Sequence, residues 1–224
     1  MSNTQRSTIS SRREADNQTR RRYILDAARR LYEEKGVDAV GMDDIAAAAD
    51  YTRRTLYAYF KGRDDISLMV LIEDNKARWA EQQEALDRAK TGLGKVLAWA
   101  AALHDFTRRH PHSIRLQLYW DFRDLERTTV GPETFAAFEA INDELAEGLR
   151  EIFRLGVRDR SLRPDLEIDL TISQFLYCFR AILNRALSNS YSFASFDPDQ
   201  YVAHYLEGFT GNIKNSGVRR VRRR

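Results

Sequence analysis

The sequence predicts an all-α protein, and three observations support this fold class. Only four prolines and eleven glycines interrupt the 224 residues, which leaves room for long helices. Apolar residues recur at intervals of three and four, the period of a helix with one buried face. No segment alternates with a period of two between hairpin turns, as the strands of a sheet would.

Composition places the chain among soluble proteins. Hydrophobic residues make up 43% and charged residues 31%, which suits a packed core under a polar surface. No apolar run approaches the roughly 18 residues of a membrane span, so no membrane partner is expected. The single cysteine, Cys178, lies in an apolar context and predicts an inert core thiol. An unpaired cysteine fits a reducing compartment, and we expect a cytoplasmic protein.

The pattern divides the chain into four parts. Residues 1–19 are polar and predict a disordered basic arm, and residues 20–65 predict a small domain of three helices. Residues 66–213 predict a larger helical domain, and residues 214–224 a basic tail. Net charge is +3 over residues 1–64, −6 over 65–213 and +6 over 214–224. Basic ends on an acidic middle segment suggest that the ends contact a polyanion. The alternative is that the arginine-rich ends are solvated tails without a partner.

The three helices of the small domain have recognisable ends. The first covers about 20–35, and the second about 42–49, with Gly41 as its N-cap. Thr52 can cap the third, which runs to about residue 59. In the larger domain, the same signals predict helices over about 64–89, 95–109, 113–127, 131–157, 165–189 and 197–212.

The third helix has an apolar side and a polar side. Leu56 and Phe60, four residues apart, form the inward stripe, so Arg53, Arg54 and Tyr57 face outward. An outward arginine can bind guanine through two hydrogen bonds in the major groove. In the alternative interpretation, the two arginines are ordinary surface charges and Tyr57 packs on the first helix. Hydroxyls and cations suited to phosphate contacts lie in this helix and just after it, namely Thr52, Thr55, Tyr57, Lys61 and Arg63.

Residues from about 21 to 67 resemble the DNA-binding head of the TetR (tetracycline-repressor-like) family of bacterial transcriptional regulators. The matching segments are ILDAA at 24–28, LYEEKG at 31–36, MDDIA at 42–46 and TLYAYF at 55–60. The resemblance implies that the helix opening at Thr52 is a recognition helix. Carried over position by position, it implies DNA contacts from Arg53, Arg54, Thr55, Tyr57 and Tyr59, and a phosphate-binding cation at Arg63.

Three positions depart from the family pattern. Gly41 replaces the usual hydroxyl cap of the second helix, which should weaken that helix slightly. Asp50 stands where the turn usually has glycine, and aspartate tolerates left-handed backbone better than most residues. Arg54 replaces a small residue, which should alter base preference. None of the three breaks the motif.

The resemblance also implies that the larger domain forms a homodimer and binds a small-molecule effector. The residues nominated for the effector pocket form an aromatic concentration with polar anchors: Trp99, Leu103, His104, Phe106, Leu116, Tyr119, Trp120 and Arg123. The residues nominated for the dimer interface are apolar positions of two long helices: Phe138, Ile141, Leu145, Ile172, Phe175, Phe179 and Leu183. For both sets, packing inside a single chain remains the alternative.

These features predict a dimeric regulator that is released from a palindromic operator by an effector. A sequence-tolerant architectural protein that uses the basic arm and tail is the alternative. An enzyme is not expected, because glycine-rich phosphate loops and the common hydrolase motifs are missing. Neither a cofactor nor a metal is expected, since the spacing of His104, His110 and His112 fits no strong ligand pattern.

Overall fold

The computed structural model describes residues 3–123, 129–188 and 197–215, with side chains from residue 14 onward. Within these ranges the chain is helical, which confirms the predicted all-α class, and its one β-type pairing is an isolated bridge between Leu162 and Lys214. None of the helices within these ranges is long and apolar enough for a membrane span. The helices are α1 (Asn3–Lys35), α2 (Met42–Ala48), α3 (Arg53–Tyr57), α4 (Arg63–Arg88), α5 (Gly92–Arg109), α6 (Pro111–Asp121), α7 (Pro132–Arg158), α8 (Ile168–Ala186) and α9 (Pro198–Ile213).

Helix α1 differs most from the sequence-based expectation. It begins at Asn3, so it includes most of the segment 1–19 that was predicted to be a disordered arm. Neither proline nor glycine occurs between residues 1 and 35. Once the packed half of a helix has formed, each added residue costs little, because nucleation is the expensive step. The polar composition therefore concealed a continuous helix.

Two of the departures noted in the sequence lie at the two ends of α2. Gly41 is the N-cap of α2, as predicted, and its N–H donates to Asp44 Oδ2 at 2.8 Å. This hydrogen bond, with help from Lys35, lowers the pKa of Asp44. Asp50 has φ of +56°, so it occupies the left-handed region that the sequence indicated. The chain can then reverse between α2 and α3 without a glycine.

The left-handed conformation of Asp50 leads to a stability prediction. Asp50→Val should lower the free energy of unfolding by about 1–2 kcal/mol, because a β-branched residue crowds the backbone there. Asp50→Gly should leave it unchanged or raise it slightly. Asp38→Val is the matched control, since Asp38 is exposed and its φ is negative. Urea unfolding of the three variants is the measurement; equal losses at positions 38 and 50 would contradict the prediction.

The N-terminal compact unit comprises the chain up to Glu73 together with Arg115–Phe138. Its core includes apolar side chains from α1, α2, α3 and the first half of α4. The segment 115–138 had been assigned by sequence to the larger domain. Polar contacts within this unit explain the difference, because Asp65 accepts a hydrogen bond from the N–H of Gly131 at 3.1 Å.

The C-terminal compact unit comprises Asp74–Ile114 and the chain from Glu139 onward. Its core contains Trp99 of α5, Phe153 of α7 and a row of aromatic rings on α8 and α9. Phe175 stacks on Phe179 at 5.3 Å and on Phe209 at 4.5 Å between ring centroids. These contacts hold α8 and α9 together as a pair.

The start of α5 lies directly against the end of α7. A Cβ atom added to Gly92 would lie 2.2 Å from the Cα and the N of Gly156. The N–H of Gly92 donates to Asp159 Oδ2 at 2.7 Å, and the N–H of Leu93 donates to Ser161 Oγ at 3.0 Å. Thr91 caps α5, so this helix begins three residues earlier than predicted. Two glycines therefore allow the two backbones to touch.

Cys178 is exposed on α8, which corrects the prediction of a buried core thiol. Its neighbours in sequence are apolar, but on a helix adjacent residues point in different directions. Phe175 and Phe179 take the buried positions, and Cys178 lies on the other face. The predicted basic tail lies outside the described residues from position 216 onward.

Candidate DNA-binding site

Helix α3 presents the polar surface that its sequence predicted. Leu56 and Phe60 are buried at 0% and 2% exposure, which confirms the inward stripe. Arg53, Arg54 and Tyr57 are exposed, and Tyr57 shows 48% of its surface. The alternative that packs Tyr57 on the first helix is therefore wrong. A short, convex and donor-rich edge is free for a partner.

The Arg53 side chain is held in place by two neighbours. Its guanidinium lies 3.3 Å from Asp43 Oδ2 of α2 and 3.4 Å from the hydroxyl oxygen of Tyr57. The hydrogen bond with Tyr57 and the charge of Asp43 raise the pKa of Arg53. Arg54, in contrast, makes no ion pair or hydrogen bond within the described part of the chain. The two arginines thus differ in freedom, a distinction that their adjacency in sequence does not reveal.

The first turn of α3 is fixed by two threonines. Thr52 is the N-cap, as predicted, and its Oγ1 accepts a hydrogen bond from the N–H of Thr55 at 3.2 Å. The two hydroxyl oxygens lie 2.9 Å apart. Thr52 remains exposed and Thr55 is half-buried. The hydroxyls therefore order the helix start, where backbone N–H groups are available to an anion.

Tyr59, two residues after the end of α3, connects this part of the chain to α1. Its hydroxyl oxygen lies 3.5 Å from Arg20 Nη1 and 3.5 Å from Asn17 Oδ1. Its carbonyl oxygen accepts a hydrogen bond from Arg21 Nη1 at 2.8 Å, and the same guanidinium lies 4.6 Å from the centroid of the Phe60 ring. Sequence reasoning did not find this contact, although the run of three arginines at 20–22 was a signal for it.

The turn that follows α3 is fastened by Asp65. One carboxylate oxygen accepts the N–H of Lys61 at 2.8 Å, and the other accepts the N–H of Gly131 at 3.1 Å. The ammonium group of Lys61 is exposed apart from a 3.4 Å contact with the Val130 carbonyl oxygen. Arg63 donates to the hydroxyl of Tyr119 at 3.0 Å and is only partly exposed. Of the two cations among the predicted phosphate ligands, Lys61 is the more accessible.

The eight residues predicted for an effector pocket are divided equally between the two compact units. Trp99, Leu103 and Phe106 are buried in the C-terminal unit, where His104 Nε2 lies 3.5 Å from Asp199 Oδ1. The other four belong to the N-terminal unit. Leu116 and Trp120 are buried there, whereas Tyr119 and Arg123 are in contact with each other. Their role in effector binding stays a prediction.

A cavity of about 490 Å³ lies elsewhere, within the C-terminal unit. Helix α4 contributes Trp79 and Leu86, and α7 contributes Ile152 and Leu155. Gly148 of α7 makes room for Trp79, because a Cβ there would lie 2.5 Å from the indole ring. None of the eight predicted residues lines this cavity. Sequence patterns did not find it because its lining residues on α4 and α7 are more than 60 residues apart in the chain.

Six of the seven residues predicted for the dimer interface are buried within the single chain. They are Ile141, Leu145, Ile172, Phe175, Phe179 and Leu183, and Phe138 is half-buried. They belong to the chain's own core, the alternative that the sequence left open. The exposed face of α8 contains other residues, among them Leu170 at 59% and Tyr177 at 49% exposure.

The histidines considered as metal ligands take other partners. His112 Nε2 lies 3.0 Å from the buried Asp74 Oδ2, and the ring of His110 packs at a tilt against the ring of Phe106, with 4.6 Å between their centroids. Within the described ranges, no group of three or more histidine, cysteine or acidic residues is placed to hold a metal ion.

Three packed helices with a tight turn before an exposed, arginine-bearing third helix define a helix-turn-helix DNA-binding protein. Residues 24–68 match the family model described as "Bacterial regulatory proteins, tetR family". These residues therefore form a DNA-binding domain of the TetR family of transcriptional regulators. The matched range contains all of α2 and α3, and it also contains the packed half of α1.

Similarity to individual proteins extends beyond the matched domain. The HTH-type transcriptional repressor KstR2 of Mycolicibacterium smegmatis is 29% identical over 153 residues, covering 68% of this chain and 72% of the relative. The structure of the ketosteroid transcriptional regulator KstR2 of Mycobacterium tuberculosis has a TM-score of 0.64 and 20% identity, covering 87% and 95% of the two chains. A structure of AibR in complex with isovaleryl coenzyme A and operator DNA has a TM-score of 0.62 and 17% identity, covering 84% and 97%.

Proposed function

We propose that this protein is a dimeric repressor that binds a palindromic operator through α3 and leaves it when a small-molecule effector binds the C-terminal unit. The observation that supports this function most directly is the exposed edge formed by Arg53, Arg54 and Tyr57. In helix-turn-helix proteins, the N-terminal residues of the recognition helix contact base edges. Arg54, which has no partner in the described part of the chain, is the base-reading group in this proposal.

The division of labour on this surface follows from side-chain chemistry. Arg53 is positioned by Asp43, so it enters the groove with less loss of side-chain freedom than a mobile arginine. Thr52, Thr55, Tyr57 and Lys61 contact phosphates, which fix the register of the protein without reading sequence. Arg63 contributes less to DNA than the sequence predicted, because Tyr119 holds its guanidinium.

Selection of bound duplexes from a random pool tests the core of the proposal. A dimer with twofold symmetry should enrich a palindrome whose half-sites have their centres about one helical turn apart, or a multiple of it. Enrichment of a half-site without symmetry would remove the dimeric part of the proposal. A pool that stays random would favour the sequence-tolerant architectural protein instead.

The dimer forms through the exposed faces of α8 and α9 in this proposal. Leu170, Tyr177 and Ala181 recur at seven- and four-residue spacings on one face of α8, and each is exposed. On α9, Gly211 has open space where a Cβ would lie, so a second helix could approach closely there. Such an apolar and small-residue surface on a soluble protein favours burial against a second copy.

Substitutions on this face test the dimer. Leu170→Glu combined with Tyr177→Glu should reduce the mass measured by light scattering from twice 26.0 kDa to a single 26.0 kDa chain. Leu97→Glu is the control, because Leu97 is an exposed leucine of α5 in the same compact unit. A wild-type protein that is monomeric at micromolar concentration, or a double variant that stays dimeric, would contradict the assignment of the dimer interface to this face of α8.

The effector site is assigned to the cavity of about 490 Å³ between α4 and α7. Apolar side chains such as Trp79 and Ile152 share its walls with charged ones, among them Lys95, Arg154 and Arg158, which suits a ligand that combines an apolar part with an anionic part. Its volume falls in the range usual for such ligands. Because AibR was solved with isovaleryl coenzyme A, short acyl thioesters of coenzyme A are the first probes to use.

Tryptophan fluorescence tests the effector site. A probe in this cavity should quench the emission of Trp79, so Trp79→Phe should remove the change on titration with isovaleryl coenzyme A. Trp120→Phe should retain the change, because Trp120 is buried in the other compact unit. A fluorescence change that persists in Trp79→Phe would place binding elsewhere. Binding that leaves operator affinity unchanged would remove the effector response from the proposal.

A further inference from the structure

The N-terminal part of α1 extends well beyond the DNA-binding domain that the family model describes. The matched range begins at residue 24, whereas the helix begins at Asn3. At about 1.5 Å per residue, the additional segment is about 30 Å long. We call residues 3–22 the α1 arm.

The composition of the α1 arm indicates which kind of partner it fits. It contains six arginines and only two acidic residues, Glu14 and Asp16. Ile9 and Ala15 are its only apolar residues, so it lacks the apolar stripe that a helix needs to pack against another protein. The described side chains from 14 to 20 are all exposed. A basic helix without an apolar face is suited to a polyanion.

The arm is fixed where it leaves the domain, beside the recognition helix. Arg20 and Asn17 both lie 3.5 Å from the hydroxyl oxygen of Tyr59, and Arg21 donates to the Tyr59 carbonyl oxygen at 2.8 Å. Tyr59 follows α3 by two residues. A duplex bound at α3 would therefore pass close to the base of the arm.

The residue spacing of the buried row of α1 continues into the sequence of the arm. Ile24, Ala28 and Leu31 form the row of α1 that is buried in the domain. Continued toward the N-terminus at steps of four and seven residues, the same row runs through positions 20, 13 and 6, all of them arginines. The seven-residue spacing that defines the buried row is thus occupied by arginine throughout the arm.

We propose that the α1 arm is a second DNA-binding element, which lies along the phosphate backbone of the duplex outside the base pairs read by α3. The proposal rests on the proposed function, since α3 must first place a duplex beside the arm. At about 3.4 Å between phosphates along one strand, an arm of this length follows about nine of them. Tyr59 then positions the arm and does not contact a base, which revises its predicted role.

The test compares two duplexes that contain the same selected palindrome. One ends at the outermost selected base pair, and the other continues for ten base pairs of arbitrary sequence on each side. Wild-type protein should bind the longer duplex about tenfold more tightly at 150 mM salt, because the arm releases additional counterions from the flanks. The triple variant Arg6→Gln, Arg13→Gln, Arg20→Gln should bind both duplexes equally.

Salt dependence and a matched control make the result specific. For the longer duplex, the slope of log affinity against log salt should become less steep by about three in the triple variant, since each phosphate contact contributes about 0.9. Arg30→Gln changes an exposed arginine of α1 beyond the arm and should alter neither quantity. Tyr59→Phe removes the hydroxyl that meets Asn17 and Arg20, and should reduce the gain from the flanks while base preference is retained.

The failures of the two proposals are distinguishable. If wild-type protein binds both duplexes equally and the salt slope is unchanged in the triple variant, the proposal that the α1 arm binds DNA is wrong, while operator recognition by α3 is unaffected. If selection yields no palindrome, the same variants are measured on a random 40-base-pair duplex. On that duplex, an unchanged salt slope in the triple variant contradicts DNA binding by the α1 arm. A reduced slope supports DNA binding by the arm independently of operator recognition.

Discussion

Gly92→Ala is expected to destabilise the C-terminal unit by about 3 kcal/mol or more, the upper part of the range for overpacked sites. The added methyl group would lie 2.2 Å from two backbone atoms of Gly156, and backbone cannot rotate away as a side chain can. Either α5 must move away from α7, or the hydrogen bond from the N–H of Gly92 to Asp159 must break. Both changes disturb the core around Trp99.

Urea unfolding followed by circular dichroism measures this effect, and Gly208→Ala provides the control. Gly208 lies inside α9 with open space where its Cβ would be. Because alanine is favoured over glycine inside a helix by about 1 kcal/mol, this variant should be at least as stable as the wild type. The same loss in both variants, or no loss in Gly92→Ala, would show that α5 and α7 are not in backbone contact.

Arg54→Ala is expected to lower affinity for the selected operator by about 5- to 150-fold, which corresponds to roughly 1–3 kcal/mol for a bidentate contact to guanine. Affinity for operators altered at the contacted base pair should fall much less, so base preference at one position of each half-site should relax. The physical reason is that an exposed arginine with no partner in the described part of the chain can direct its planar guanidinium at O6 and N7.

Two further arginine and lysine variants separate base reading from general attraction. Lys61→Ala should weaken binding to all duplexes about equally and reduce the salt slope by about one. Arg30→Ala should change neither affinity nor preference. Fluorescence anisotropy against a set of single-base operator variants distinguishes these outcomes. If Arg54→Ala weakens every sequence by the same factor, Arg54 contacts phosphate and not a base.

Sequence predicted the elements whose causes are local. Gly131-Pro132 and Asp197-Pro198 mark the starts of α7 and α9, because proline fits the first turn of a helix and an acidic N-cap satisfies its free N–H groups. The side of α3 that faces inward was also predictable, since four-residue spacing places Leu56 and Phe60 on one face. At Asp50, the chemistry of one side chain predicted the left-handed backbone.

The features that depend on tertiary contacts were not predictable in the same way. Apolar residues on α8 were assigned to a dimer, but periodicity cannot distinguish a face buried in one chain from a face buried between two. Residues 1–19 were predicted to be disordered because their composition is polar, while the contact between Asn17 and Tyr59 is visible only in three dimensions. The cavity beside Trp79 likewise needs helices that are distant in sequence.

The two hydrogen bonds accepted by Asp65 have a mechanical consequence. One carboxylate fastens the N–H of Lys61, which follows the recognition segment, and the N–H of Gly131, far away in sequence. A displacement of the backbone at Gly131 by even an ångström would therefore be transmitted through Asp65 to the turn that follows α3. Asparagine at position 65 would keep only one acceptor oxygen. One of the two hydrogen bonds would be lost, and with it the connection between Gly131 and the turn, while the helices stayed folded.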